Sequence, residues 1–132
     1  MWLTNKAIKE IQNDEIILTI PQATSYSIQV QLFNEKGEKI EPASGFVAKF
    51  TIKKRVEDST PALQKDMIEG TDEDSNKVLE LQLTPQETQS LSEGRYVFDV
   101  MYAEGTNIYQ VVPISHLKIG PSLATVSQII GE

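Results

Sequence analysis

The feature that most constrains this chain is a period-two alternation of apolar and polar residues, repeated in one segment after another. Successive side chains of a strand point to opposite faces, so such alternation makes a ribbon with one side for a core and one for water. Tyr26, Ile28, Val30 and Leu32 are apolar while Ser25, Ser27, Gln29 and Gln31 between them are polar. Phe46, Ala48, Phe50 and Ile52 repeat the pattern against Lys49, Thr51 and Lys53. Leu79, Leu81 and Leu83 alternate with Val78, Glu80 and Gln82. Tyr96, Phe98, Val100 and Tyr102 oppose Val97, Asp99 and Met101, a second face apolar enough to suit a central strand. Ile16, Leu18 and Ile20 predict an early strand closed by Pro21, and Ile108, Val112, Ile114, Leu117 and Ile119 a last strand or pair. Pro21 and Pro113 fit edges or breaks in pairing, because proline has no N–H to give to a ladder.

The turns agree with antiparallel strands. Asn34-Glu35-Lys36-Gly37 and Ala103-Glu104-Gly105-Thr106 each place a glycine where a tight hairpin needs positive φ. One helix is signalled: Thr84-Pro85-Gln86-Glu87 sets a Thr cap, a Pro at the first helical position and a Glu at the third, with Gly94 as the expected stop. The helix, Pro85 to Leu91, is two turns at most and predicts a crossover between sheets. In residues 57–76, Glu57, Asp58, Asp66, Glu69, Asp72, Glu73 and Asp74 face only Lys65, gathering most of the excess charge in one stretch. It reads as a long loop, a weak strand near Ala62 to Ile68 and an exposed turn from Gly70 to Asn76. About seven short strands with turn signals between them predict an all-β, immunoglobulin-like antiparallel sandwich. The expected organisation is one domain over residues 1–120, with 1–8 as a candidate N-terminal arm and 121–132 as a C-terminal tail or docking arm.

Chemistry is hard to place on this chain. Twelve Lys and Arg against nineteen Asp and Glu leave a net charge of −7, which repels nucleic-acid phosphates, so nucleic acid is not an expected partner. The absence of cysteine excludes disulfides, thiol catalysis and Cys-type zinc sites. His116 is the only histidine, so a serine triad would have to use it and a three-histidine metal site cannot form within one chain. No Gly-x-Ser-x-Gly elbow, phosphate loop or dinucleotide fingerprint occurs. No catalytic residue, cofactor or metal is therefore predicted, and the chain reads as non-enzymatic. Asp72-Glu73-Asp74-Ser75-Asn76 begins like a calcium loop, but the sixth and twelfth places are Lys77 and Leu83, so it reads as a solvated acidic turn. Most aromatics sit at periodic apolar positions and read as core rather than as a carbohydrate platform. Met1 to Lys6 does not open on a basic patch and a long apolar run, and no apolar run approaches the ~20 residues of a membrane helix, so a start in a cytosol and no membrane partner are expected.

The segment Leu83-Thr84-Pro85-Gln86-Glu87-Thr88-Gln89-Ser90-Leu91-Ser92-Glu93-Gly94-Arg95-Tyr96-Val97-Phe98-Asp99-Val100 resembles a pattern of tailed-phage structural proteins with an Ig-like domain. In that pattern a strand ends in Leu-Thr, a capped turn follows, and Leu, Gly and aromatic-x-aromatic-Asp lead into a final hairpin. The upper-baseplate-protein N-terminal domain family is the nearest named relative. The likeness continues through the hairpin at Gly37, the strand Val47 to Lys53, and Tyr109 to Ile119 before Gly-Pro, covering residues 10 to 120 or so. Family members often carry a Gly-Asp turn where this chain has Asn13-Asp14-Glu15. The resemblance implies a virion component of baseplate, tail, neck or capsid surface, made in the host cytoplasm and working by protein–protein assembly in many copies. It carries over no catalytic residue. Trp2, Leu3, Val126, Ile129 and Ile130, apolar residues outside any periodic strand, are the candidate subunit contacts, and Trp2 fits an anchor of the terminus to its own core equally well. The rival readings are a host-recognition module binding cell-surface glycan and a bacterial surface or adhesin Ig-like domain.

Overall fold

A computed structural model describes residues 2–5, 17–34, 36–123 and 125–130. Its strands are β1 (Trp2–Asn5), β2 (Ile17–Pro21), β3 (Tyr26–Phe33), β4 (Lys39–Ile40), β5 (Val47–Lys53), β6 (Leu63–Asp66), β7 (Ile68–Thr71), β8 (Lys77–Leu83), β9 (Gly94–Glu104) and β10 (Asn107–Gly120). Helix α1 (Pro85–Ser90) joins β8 to β9, and α2 (Val126–Ile130) follows β10. One sheet runs β1-β3-β8-β7 with β4 beside β3, and the other β2-β10-β9-β5-β6. With β3, β8 and β7 as B, E and D, and β5, β9 and β10 as C, F and G, this is the immunoglobulin arrangement of two sheets with α1 as the E-to-F crossover.

The alternating positions form the core. Ile28, Val30 and Leu32 of β3, Ala48, Phe50 and Ile52 of β5, Leu79, Leu81 and Leu83 of β8, and Tyr96, Phe98, Val100 and Tyr102 of β9 are all buried between the sheets. Gly37 and Gly105 close the two hairpins at φ 78° and 58°, where a side chain would be strained.

The strand count exceeds the seven expected, for identifiable reasons. The single weak strand expected around 62–68 is two strands in different sheets: β6 pairs with β5 and β7 with β8. Met67, buried between them, donates its N–H to the Ala48 carbonyl at 2.9 Å and carries the chain across. Four-residue strands are too short for a period to show. The pairing is also not wholly antiparallel, since β2 runs parallel to the end of β10, Ile17 opposite His116 through Pro21 opposite Gly120. Pro113 falls in the register irregularity between Val112 and Ser115 of β10, as a residue without a ladder donor should.

Gly94 does not stop α1. Leu91 is the C-cap, its N–H donating to the Thr88 carbonyl, and Gly94 at φ 143° opens β9, where an added Cβ would stand 2.8 Å from Lys54 Nζ. Nearby, Tyr96 at the start of β9 donates its hydroxyl to the Ser92 carbonyl at 2.7 Å. A Tyr at this corner, bonded back a few residues, is the tyrosine corner of immunoglobulin-like sandwiches.

Candidate functional site

The two ends of the sandwich differ. At one, α1 connects the sheets; at the other lie the β3–β4, β7–β8 and β9–β10 hairpins. The α1 end is tightly bonded. Thr84 Oγ1 accepts from the Glu87 N–H at 3.2 Å and Glu87 Oε1 accepts from the Thr84 N–H at 2.9 Å, completing the capping box. Lys65 Nζ donates to the same Glu87 oxygen at 2.6 Å, tying α1 to β6 of the other sheet. Partial burial pushes the Glu87 carboxyl up, but the Lys65 and Thr84 hydrogen bonds and the Lys65 charge outweigh it and hold the group below the usual carboxylate range. A carboxylate whose folded pKa is depressed adds stability above its unfolded pKa and loses it as pH falls through the folded value. The destabilisation caused by Glu87→Gln is therefore expected to be full near neutral pH and to shrink below about pH 4.5, which paired thermal melts across that range would check.

The outer face of the β2-β10-β9-β5-β6 sheet is the candidate functional surface. The residues between the core positions project there: Thr51 and Lys53 from β5, Val97, Asp99 and Met101 from β9, Gln110 and Ile114 from β10. With the 54–62 loop they line an open groove of about 420 Å³. Its polar groups are held in place, Gln110 Nε2 donating to Asp99 Oδ2 at 3.0 Å and Gln64 Nε2 to Thr51 Oγ1 at 2.9 Å. Apolar side chains lie open beside them: Val47, Val56 and Ile114 are about half exposed and Ile108, next to the β9–β10 turn, is 66% exposed. Ile108, Val112, Ile114, Leu117 and Ile119 do share the one last strand that the sequence predicts, and the register irregularity in β10 turns Val111 and Val112 both inward and leaves Ile114 outside.

The residues expected at subunit contacts are dispersed. Trp2 and Leu3 belong to β1, opposite Phe33 and Leu32 of β3. Val126 is buried within its own domain, its N–H donating to Gln89 Oε1 of α1 at 2.7 Å, whereas Ile129 on the same helix is 70% exposed. Ile130 ends α2. Leu123, which sequence reading passed over, is fully exposed in the segment before that helix.

The acidic turn is built as a structural loop. Asp72 Oδ1 accepts from the backbone N–H groups of Asp74 and Asn76, both at 2.9 Å, and Ser75 takes positive φ. That carboxylate oxygen is turned to its own backbone. Among the described residues no three His, Asp or Glu side chains are gathered as a metal site. His116 stands exposed on the outer face of β10. On the β9 side, burial raises the Tyr102 phenol pKa; the Ala43 N–H it accepts lowers it and Glu104 raises it, leaving it higher than usual. Its role there is to pin the 41–46 segment to the core.

Fold and site together define an all-β immunoglobulin-like domain whose distinguishing surface is an open, partly apolar sheet face. No protein-family model matches the sequence, and no curated protein does. Among solved structures the chain is similar to part of a metagenome-derived glycoside hydrolase family 9 endoglucanase, at 18% identity and a TM-score of 0.48, over 89% of this chain and 18% of that one. It is similar also to AggA, the major subunit of aggregative adherence fimbriae type I from Escherichia coli, at 7% identity and a TM-score of 0.39, over 91% of this chain and 93% of that one. The chain thus spans less than a fifth of the endoglucanase.

Proposed function

We propose that this domain is a non-enzymatic structural component of a tailed-phage virion, of the baseplate, tail, neck or capsid surface, acting through protein–protein assembly contacts. The observation that carries the assembly reading is the open apolar set Val47, Ile108 and Ile114 on one sheet face, with Val56 of the loop that walls its groove; Leu123 and Ile129, before and in the C-terminal helix, are exposed as well. Exposed apolar side chains gathered on one face mark interaction surfaces more often than chemistry. The virion reading adds the Leu83 to Val100 segment, whose capped helix, Tyr96 corner and central strand give the phage-like pattern its structural content. Repetition in a symmetric particle makes individually weak contacts collectively strong. Immunogold labelling and mass spectrometry of gradient-purified particles from the source culture test it. Label at one fixed location is expected; a chain abundant in the lysate and missing from every particle band would end the virion reading.

A second reading, host-glycan recognition, draws on the groove, where Asp99, Gln110 and Lys53 lie beside Val97 and Met101 as a mixed polar and apolar lining. Glycan-array binding that is lost on Asp99→Ala would favour it over assembly alone.

A further inference from the structure

Charges scattered along the sequence are sorted by the fold to opposite ends. Antiparallel register sets Lys118 of β10 opposite Arg95 of β9, and Lys53 of β5 opposite Val97, two residues on from Arg95 on the same outer face. Lys54 and Arg55 follow Lys53 directly and are exposed. These five of the chain's twelve cations form a band at the α1 end, and none of them is in an ion pair among the described residues. Lys54 Nζ lies 4.5 Å from the centre of the Tyr96 ring. Among the described residues the acidic groups near the band are Glu57, Asp58, Glu93 and Asp99, the last held by Gln110, while Glu87 is already paired with Lys65. Among the described residues the balance reverses at the hairpin end: Asp72, Glu73 and Asp74 of the β7–β8 turn stand with Glu38, Glu41 and Glu104, against Lys36, Lys39 and Lys77.

We infer that copies of this chain associate head to tail, the acidic β7–β8 turn of one copy seated on the basic band of Lys53, Lys54, Arg55, Arg95 and Lys118 of the next. The argument is charge complementarity between two ends of the same molecule. Like ends repel, so the attractive arrangement is the heterologous one, in which each copy offers one end and receives the other. Contacts of that kind close into a ring or continue as a stack. The net charge of −7 works against unordered clustering and leaves the basic band as the attractive landing place for an acidic turn. Val56, Val97 and Ile114, in the groove beside the band, add apolar area to the contact. Exposed ion pairs are individually weak and salt-sensitive, so the association is weak in solution and becomes effective through repetition.

The inference rests on the assembly reading above, and the two fail separately: labelled particles combined with an absence of self-association would remove only this contact. Sedimentation velocity of the full chain, over a wide concentration range at about 50 mM and about 0.5 M salt, is the test. Concentration-dependent association is expected at low salt and should weaken about tenfold or more at high salt. The double variants Arg95→Glu with Lys118→Glu, and Glu73→Lys with Asp74→Lys, change exposed side chains and spare Asp72, which holds the turn. Each alone is expected to abolish association, and an equimolar mixture of the two to restore it. Monomer at every concentration, association that survives either reversal, or a mixture that stays monomeric would each overturn the proposal; the last would direct the basic band to an acidic partner other than this chain.

Discussion

Phe50→Ala is expected to lower the free energy of unfolding by about 3–5 kcal/mol and the melting temperature by roughly 10–20 °C. Phe50 occupies the middle of β5, is buried to 1% exposure, and stacks on Phe98 of β9 with ring centroids 5.1 Å apart. In antibody domains the centre of the sandwich is held by a Trp on strand C packed on an inter-sheet disulfide. This chain has no cysteine, and the Phe50–Phe98 pair stands on strands C and F, so the sheets depend on packing alone there. Alanine removes a whole ring from a site walled by regular strands, which collapse poorly around a void. Domains are stable by only about 5–15 kcal/mol in total, so the loss is a large fraction of the whole. Phe50→Leu keeps most of the volume and should cost about 1–2 kcal/mol. Urea unfolding at constant m-value measures both; a Phe50→Ala cost under about 1 kcal/mol would show that the stack is not part of the core.

The core was legible in the sequence because a period of two is imposed by strand geometry and needs no tertiary information. Ile28, Val30, Phe50, Leu81 and Phe98 are inward because every second residue of a strand is, and Glu80 and Lys49 between them are not. The capping box was legible because its partners are three residues apart. What was not legible depends on partners far along the chain. The Tyr96 ring was read correctly as core, but the Ser92 carbonyl that its hydroxyl meets gives no sequence signal of its own. The acidic stretch 57–76 reads as one patch, yet β6 and β7 run the length of the sandwich and leave Glu57 and Asp58 at the α1 end and Asp72 to Asp74 at the other. The basic band is the converse case: residues 53–55, 95 and 118 have nothing in common until three antiparallel strands place them side by side. The outer-face groove was half visible, since Val97 and Met101 marked that face as less polar without showing that the 54–62 loop would wall it.

The α1 end, where the basic band and the helical crossover meet, is held by a buried hydroxyl, and Thr88→Val is expected to cost about 2–4 kcal/mol although it changes almost no volume. Thr88 is fully buried on α1, and its Oγ1 accepts the Thr24 N–H at 2.9 Å while donating to the Thr24 carbonyl at 2.8 Å. One hydroxyl thereby satisfies both backbone groups of a residue 64 positions away, just before β3. The Gln22 side-chain amide reinforces the tie by donating to the Leu91 carbonyl at 2.7 Å. Valine keeps the branched shape and similar helix propensity but leaves the N–H and C=O of half-buried Thr24 without their partner on the buried side, and an unpaired backbone group shielded from water costs about 1–3 kcal/mol. Thr88→Ser keeps the hydroxyl and loses a methyl, so it should cost only about 1 kcal/mol. The ordering separates hydrogen bonding from packing, since packing alone would make serine the worse replacement. Thermal melts of the two variants decide it, and faster amide exchange in α1 and at Thr24 of the valine variant, with the β5 and β9 amides unchanged, would place the loss at this end of the sandwich.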